Sequence, residues 1–324
     1  MTILTDLTER TRTWHRASYR SAQAFAVITV LCVLALLIDQ RTLNGAALWA
    51  KPFKFAVSAA LYFFTWSWLV SLLPKFKRTA NWLANGLVVI FSAEYVLMVF
   101  QAVRVRASHF NNATPLDNTI FQVMGGMIAL LWLINFVLTV AVMFTKTADR
   151  ATAWAARIGA VLGMIGISVA TLMSGPTPDQ QAALDATGQS AAIGAHTVGL
   201  PDGGPGLPIL GWSTVGGDLR IPHFAGLHGL QALPLLALLL IVLAARYPKL
   251  RDDVVRLRLV VVAGAGYAGL LALLTWQALR GQSIVNPDGL TLTAFVLLLA
   301  AVAIGSLISL NRRPAHDREL ETAA

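Results

Sequence analysis

The sequence predicts an all-α protein, a polytopic membrane bundle of about eight transmembrane helices. Three observations predict it. Hydrophobic residues make up 56% of the 324 and charged residues only 13%, with a mean hydropathy of +0.65, whereas a soluble domain is about a quarter charged. The apolar residues fall in long unbroken runs, and the basic residues gather between those runs.

Crossing hydrocarbon takes about 20 mainly apolar residues in a helix, because lipid offers backbone groups no hydrogen-bond partner. Runs near 23–39, 55–73, 83–103, 119–145, 155–174, 223–245, 257–279 and 289–310 meet that requirement. The chain accordingly divides into a basic N-terminal segment (1–22), a first four-helix half (23–145), a second half (146–311) and a tail (312–324). The second half carries a long connection, 175–221.

Orientation is read from Lys and Arg. The two ends and the even-numbered connections hold 18 of the 25 basic residues, among them Arg12, Arg16, Lys75, Arg78, Arg256 and Arg313; the other face holds 7. This excess predicts a bacterial inner-membrane protein with both termini cytoplasmic. No cleavable signal sequence is expected, since the residues before the first run are polar and Arg-rich. The net charge of +9 belongs to these topogenic clusters, so membrane lipids are expected as partners and nucleic acid is excluded. The lone Cys32 lies in the first run, which rules out a disulfide framework or a thiolate metal cage within one chain.

An internal echo predicts a parallel repeat of four spans plus four. Gln101-Ala102-Val103-Arg104, with Ser108 and Asn111 beyond it, matches Gln277-Ala278-Leu279-Arg280, with Ser283 and Asn286, after deletion of one residue. Pro52, Phe55 and Ala56 likewise match Pro222, Phe224 and Ala225. The connection 175–221 has no counterpart of similar length in the first half, and its Leu207, Ile209, Leu210 and Trp212 predict packing as a lid.

Polar groups at membrane depth are expensive and are usually retained for a purpose. Glu94 lies in the third run and shares a helical face with Gln101 and Arg104. His109, His196, His223 and His228, four of the six histidines, map to the outer side. His223 and His228 are five residues apart, about 140° around a regular helix, so one helix would not turn both toward one ion. Imidazoles are frequent ligands of metals and haem. His109, His223 and His228 are therefore the candidate metal ligands, with Glu94 or Asp218 as orienting partner or proton acceptor. Arg104 and Arg280, with Gln101 and Gln277 beside them, are candidate cofactor-binding residues suited to an anionic group such as a propionate. Lys51 and Lys54 at the outer boundary add an anion-attracting charge. Ser58, Tyr62, Thr65 and Trp66 follow along the same span at helical spacing.

The Ser-His-Phe-Asn segment at 108–111 and the Gly-Gly-Asp-Leu-Arg-Ile-Pro-His-Phe-Ala-Gly-Leu-His segment at 216–228 resemble those of a group of uncharacterised bacterial multi-span inner-membrane proteins. The resemblance implies the span count and transfers no activity. Walker, HExxH and CxxC patterns are absent from the sequence. Three readings stay open: an outer-facing His/Asp/Arg site that holds a metal ion or haem for redox or hydrolytic chemistry; a proton-coupled transporter of a small anionic solute; and a non-catalytic assembly or lipid-interacting protein. The sequence does not decide whether the protein is an enzyme.

Overall fold

The computed structural model describes residues 11–145, 147 and 149–311; Arg10, Lys146, Arg312, Arg313, His316 and Arg318 lie outside them. Eight helices are long and apolar enough to cross a membrane: α1 (Arg16–Ile38), α2 (Ala50–Ser71), α3 (Lys77–Val103), α4 (Pro115–Met143), α5 (Arg150–Val169, continued as a 3-10 turn to Met173), α7 (Arg220–Leu243), α8 (Asp253–Leu279) and α9 (Gly289–Asn311). A further helix, α6 (Pro178–Thr187), belongs to the long connection. Two strand pairs of two residues each precede α2 and α7: β1 (Thr42–Leu43) with β2 (Ala46–Ala47), and β3 (Thr197–Val198) with β4 (Gly217–Asp218). The all-α polytopic architecture is thus as expected.

Several spans begin earlier than their apolar runs, because their first turns are polar and capped. His15 accepts from the Ser18 N–H at the start of α1, Thr114 from Asp117 at α4, Asp149 from Thr152 at α5, and Asp252 from Val254 at α8. A cap satisfies backbone donors that have no partner inside the helix, so the helix extends past the hydrophobic stretch.

One buried cluster joins α1 to α4 around Phe25, Phe63, Trp66, Leu87 and Leu138, and reaches Ala156 and Ala160 of α5 and Leu230 of α7. A second joins α5, α7 and α8 around Leu162, Leu233, Val260 and Leu271. The remaining large apolar side chains point outward, as Val27, Leu34, Leu239 and Leu297 do, which suits surfaces solvated by lipid. Between α5 and α7 the packing depends on glycine. Gly159, Gly163 and Gly166 face Gly226, Gly229 and Leu230, and a methyl on Gly159 would lie 2.8 Å from the Gly229 carbonyl oxygen. Small residues at this spacing let two helix backbones touch, the usual substitute in lipid for a hydrophobic driving force.

Because eight spans follow one another, the start of α1 and the end of α9 share one face. The connections 39–49, 104–114, 174–219 and 280–288 share the opposite one, here called the loop face.

Candidate functional site: a basic cavity beneath the loop face

The helix ends that carry the sequence echo are built alike. At the end of α3 the Arg104 and Arg106 N–H groups donate to the carbonyls of Phe100 and Gln101, with Val105 between them at φ +56°. At the end of α8, Arg280 and Gln282 donate to Trp276 and Gln277, with Gly281 at φ +71°. Each glutamine side chain donates to the carbonyl six residues on, Gln101 to Ala107 at 3.4 Å and Gln277 to Ser283 at 2.9 Å. Each arginine lies over an aromatic ring four residues earlier, Phe100 or Trp276. It also pairs with an acid at the start of the following helix: Arg104 Nη1 lies 2.8 Å from Asp117, and Arg280 pairs with Asp288.

Arg104, Arg280, Gln101 and Gln277 therefore work as clamps between consecutive spans, and none of them lines the cavity described next. Glu94 is buried off the cavity wall, and its Oε1 has no hydrogen-bond partner. Asp218, also off the wall, is fully buried against Arg220 and receives the Ser213 N–H at 2.8 Å.

Beneath the loop face lies a cavity of about 1750 Å³, walled by α2, α3, α4, α5 and α7 and roofed by the long connection. His109, His223 and His228 all line it, as does His196, which the sequence grouped with them only by side. The roof is ordered by its own chemistry. Thr177 and Gln180 form a reciprocal cap that starts α6, and the Gln180 amide also spans to Gly194, accepting its N–H at 2.9 Å and donating to its carbonyl at 3.0 Å. Gly194, at φ +109°, has no room for a side chain, since a Cβ would lie 2.6 Å from the Met173 carbonyl oxygen. Ionised Asp202 accepts from His196 Nδ1 at 2.6 Å and from the Thr197 N–H at 2.9 Å.

The histidines differ in their surroundings. His223 Nδ1 donates to the Gly166 carbonyl at 2.7 Å, across the glycine contact of α5 and α7. His228 Nε2 lies 3.4 Å from Ser58 Oγ on α2. His109 Nδ1 meets Lys51 Nζ at 3.1 Å and Ser108 Oγ at 2.9 Å, and Lys51 Nζ meets Ser108 Oγ at 2.9 Å. The three atoms form a triangle on the cavity wall. Burial, followed by the nearby Lys51, His196 and His223, lowers the His109 pKa well below its usual value, so the ring is neutral near pH 7. Burial also lowers His196, more than Asp202 raises it.

Below the mouth the wall turns apolar through Phe91, Met98, Ile128 and Leu131. At its base Tyr62 donates to Asn135 Oδ1 at 2.8 Å. Basic residues dominate the polar wall: Lys51, Lys54, Arg106 and Arg220 against Asp179 and Asp202. Among the described residues, neither Lys54 nor Arg106 forms an ion pair, and Lys54 donates instead to the Leu210 carbonyl of the roof. No group of three or more His, Cys, Asp or Glu side chains is arranged to hold a metal ion among the described residues.

Fold and cavity together define a polytopic helical membrane protein with a large basic pocket under an ordered roof. Comparison with known protein families, curated proteins and solved structures finds no match.

Proposed function

We propose that this protein binds an anionic amphiphile in the loop-face cavity, with the charged end near Lys54, Arg106 and Arg220 and the apolar part against Phe91, Met98, Ile128 and Leu131. One observation carries the reading: two cations on the wall, Lys54 and Arg106, have no carboxylate within ion-pair distance among the described residues. Lys54 is half-buried, where an unpaired cation costs free energy that an incoming anion recovers, and Arg106 is exposed and open to an anion entering the cavity. The lysine-and-arginine bias of the connections favours a loop face outside the cell, so the ligand enters from that side or from the outer leaflet. The same pocket suits an anion carrier, since its wall continues from the loop-face residues down to Tyr62, which donates to Asn135.

A metal ion or haem iron as occupant draws on one feature. The bond from His223 Nδ1 to Gly166 fixes a tautomer with Nε2 free, as in many metal-bound imidazoles. His109 does not join such a set easily, because Lys51 and Ser108 already engage its Nδ1.

The test is calorimetric titration of the protein in nanodiscs with octyl phosphate, and with octyl glucoside as the uncharged analogue. Saturable binding of octyl phosphate is expected, weakened about tenfold or more in the Lys54→Gln/Arg106→Gln double variant, one charge-assisted contact being worth at least ~1.4 kcal/mol. Equal binding of octyl glucoside, or unchanged affinity in the double variant, overturns the proposal.

A further inference from the structure

The triangle of Lys51, Ser108 and His109 has a chemistry that anion binding does not use. A serine hydroxyl becomes a nucleophile when a base within hydrogen-bond reach takes its proton, and a lysine amine can be that base. Here Ser108 Oγ lies 2.9 Å from Lys51 Nζ, and both line the cavity. No carboxylate lies within 4.0 Å of Lys51 Nζ among the described residues, so nothing at the site requires an ammonium there.

Lys51 Nζ donates to Ser108 Oγ, and the Ser108 hydroxyl lies within reach of His109 Nδ1, both at 2.9 Å. A neutral amine that keeps one N–H on Nδ1 of the neutral His109 ring, at 3.1 Å, presents its lone pair to Ser108 once the hydroxyl hydrogen rotates from His109 toward Nζ. The backbone turns sharply on both sides of this meeting, at Val105 as part of the clamp shared with α8 and at Phe110 without a counterpart there. Val105 and Phe110, on either side of Ser108 and His109, sit at φ +56° and +59°, a region unfavourable for β-branched and bulky residues. The serine that the sequence echo matches to Ser108 stands where Ala107 does relative to the clamp glutamine and is occupied differently: Ser283 Oγ donates to the Ser213 carbonyl and accepts the Val285 N–H, both at 3.3 Å.

We propose that Ser108 and Lys51 are a nucleophile and base, with His109 as positioning residue, that cleave a carboxylic ester in an anionic amphiphile bound in the cavity. The substrate class rests on the preceding reading of the pocket. Ser108 Oγ gives its proton to Lys51 and bonds to the ester carbonyl carbon. The tetrahedral adduct collapses, the bond to the alcohol oxygen breaks, and Lys51 returns the proton to the departing alcohol. Water then gives a proton to Lys51 and attacks the acyl-serine, and Ser108 Oγ leaves, taking that proton back. Ester and water become acid and alcohol, with no other reactant.

The test needs no natural substrate. Full-length protein in nanodiscs is treated with an alkyl fluorophosphonate, which bonds its phosphorus to an activated serine oxygen and expels fluoride. Intact mass and peptide mapping follow the adduct. One adduct is expected, at Ser108, lost in Ser108→Ala and retained in Ser283→Ala. Its rate should rise with pH as Lys51 loses its proton, and fall about 100-fold or more in Lys51→Met, the lower end for a general base. His109→Gln should keep the adduct but change the pH profile of its formation. Thermal unfolding checks that each variant is folded. A folded wild type that gains no adduct at Ser108, or equal rates in wild type and folded Lys51→Met, overturns the proposal. If octyl phosphate still binds when no adduct forms, the nucleophile fails and the anion pocket stands; an adduct without octyl phosphate binding spares the nucleophile and removes the substrate class.

Discussion

Replacing Gly166 with alanine should be among the most damaging single-methyl additions in the molecule. The new Cβ would fall within the backbone of Gly226 and Leu227 on α7, 2.6 Å from Gly226 Cα. Carbon atoms in contact prefer about 3.5–4.0 Å, so α5 and α7 must separate locally by about 1 Å. A flexible side chain could turn aside, but a helix backbone cannot. A radial gap of that size forfeits a quarter to a half of each dispersion contact across it, at an interface where Leu162, Leu230 and Leu233 are buried. Overpacking typically costs about 1–3 kcal/mol, and the backbone obstacle puts Gly166→Ala at about 3 kcal/mol. Gly163→Ala is the internal control. Its Cβ would meet Leu230 Cβ at 3.4 Å, an ordinary contact, and alanine gains up to about 1 kcal/mol of helix propensity. Reversible unfolding in mixed SDS micelles measures both. If Gly166→Ala proves as stable as Gly163→Ala, the close approach of the two helices, and with it the placing of His223 against the Gly166 carbonyl, is refuted.

Two further outcomes follow from the same geometry. Arg104→Ala removes one of three side-chain donors from the fully buried Asp117, which keeps Gln101 and Thr114, and should destabilise by about 2 kcal/mol. Arg280→Ala leaves the half-exposed Asp288 to water and should have no measurable effect on unfolding, so equal losses would refute the difference drawn between the two clamps. Stability should also decline on acidification below about pH 6.5. The folded state keeps His109 and His196 neutral, their pKa values lying below the ordinary 6.5, whereas the unfolded chain takes up protons near that pH. Below it the unfolded state binds more protons, and each histidine removes at most about 1.4 kcal/mol per pH unit. For Asp202, burial raises the pKa, but bonds from His196 and Thr197 outweigh it and hold the carboxyl below its ordinary value. It therefore stays ionised through this window and contributes no slope. A His109→Gln/His196→Gln variant should unfold with a flatter dependence between pH 7.5 and 5.5, and a slope as steep as the wild type's would sink this account.

The spans were legible because lipid leaves a backbone so few options: an apolar run long enough to cross must be helical. Their first turns were not, since residues such as Asp149 and Thr114 look like connection until they are seen capping a helix. The α6 helix was visible in principle as Thr177-Pro178-Asp179-Gln180, a capping signature, yet the segment is too polar and short to register as an apolar run. The convergence of His109, His223 and His228 on one cavity agrees with the sidedness read from the sequence. The triangle with Lys51 was not legible. Lys51 and Ser108 are 57 residues apart, and they meet only because the backbone reverses at Val105 and Phe110, two residue types that sequence rules assign to no such conformation. Gln101, Arg104, Gln277 and Arg280 show the opposite failure. Their repetition was plain, but repetition of a structural clamp and repetition of a ligand site look the same until the partners Asp117 and Asp288 are in view.

Where the two halves differ is more informative than where they agree. The clamps at the ends of α3 and α8 match bond for bond in the backbone, so that geometry answers the shared problem of turning a chain back into lipid. Beyond the clamp the copies diverge. After Arg104 the chain places Ser108 and His109 against Lys51 on the cavity wall; after Arg280 it places Ser283, whose hydroxyl only ties backbone together. The divergence runs the other way at α2 and α7, where Lys51, Lys54 and Ser58 face the cavity from one helix and Arg220, His223 and His228 from the other. The amine, hydroxyl and imidazole come together after α3 and not after α8, on the side of the cavity formed by α2 and the segment after α3.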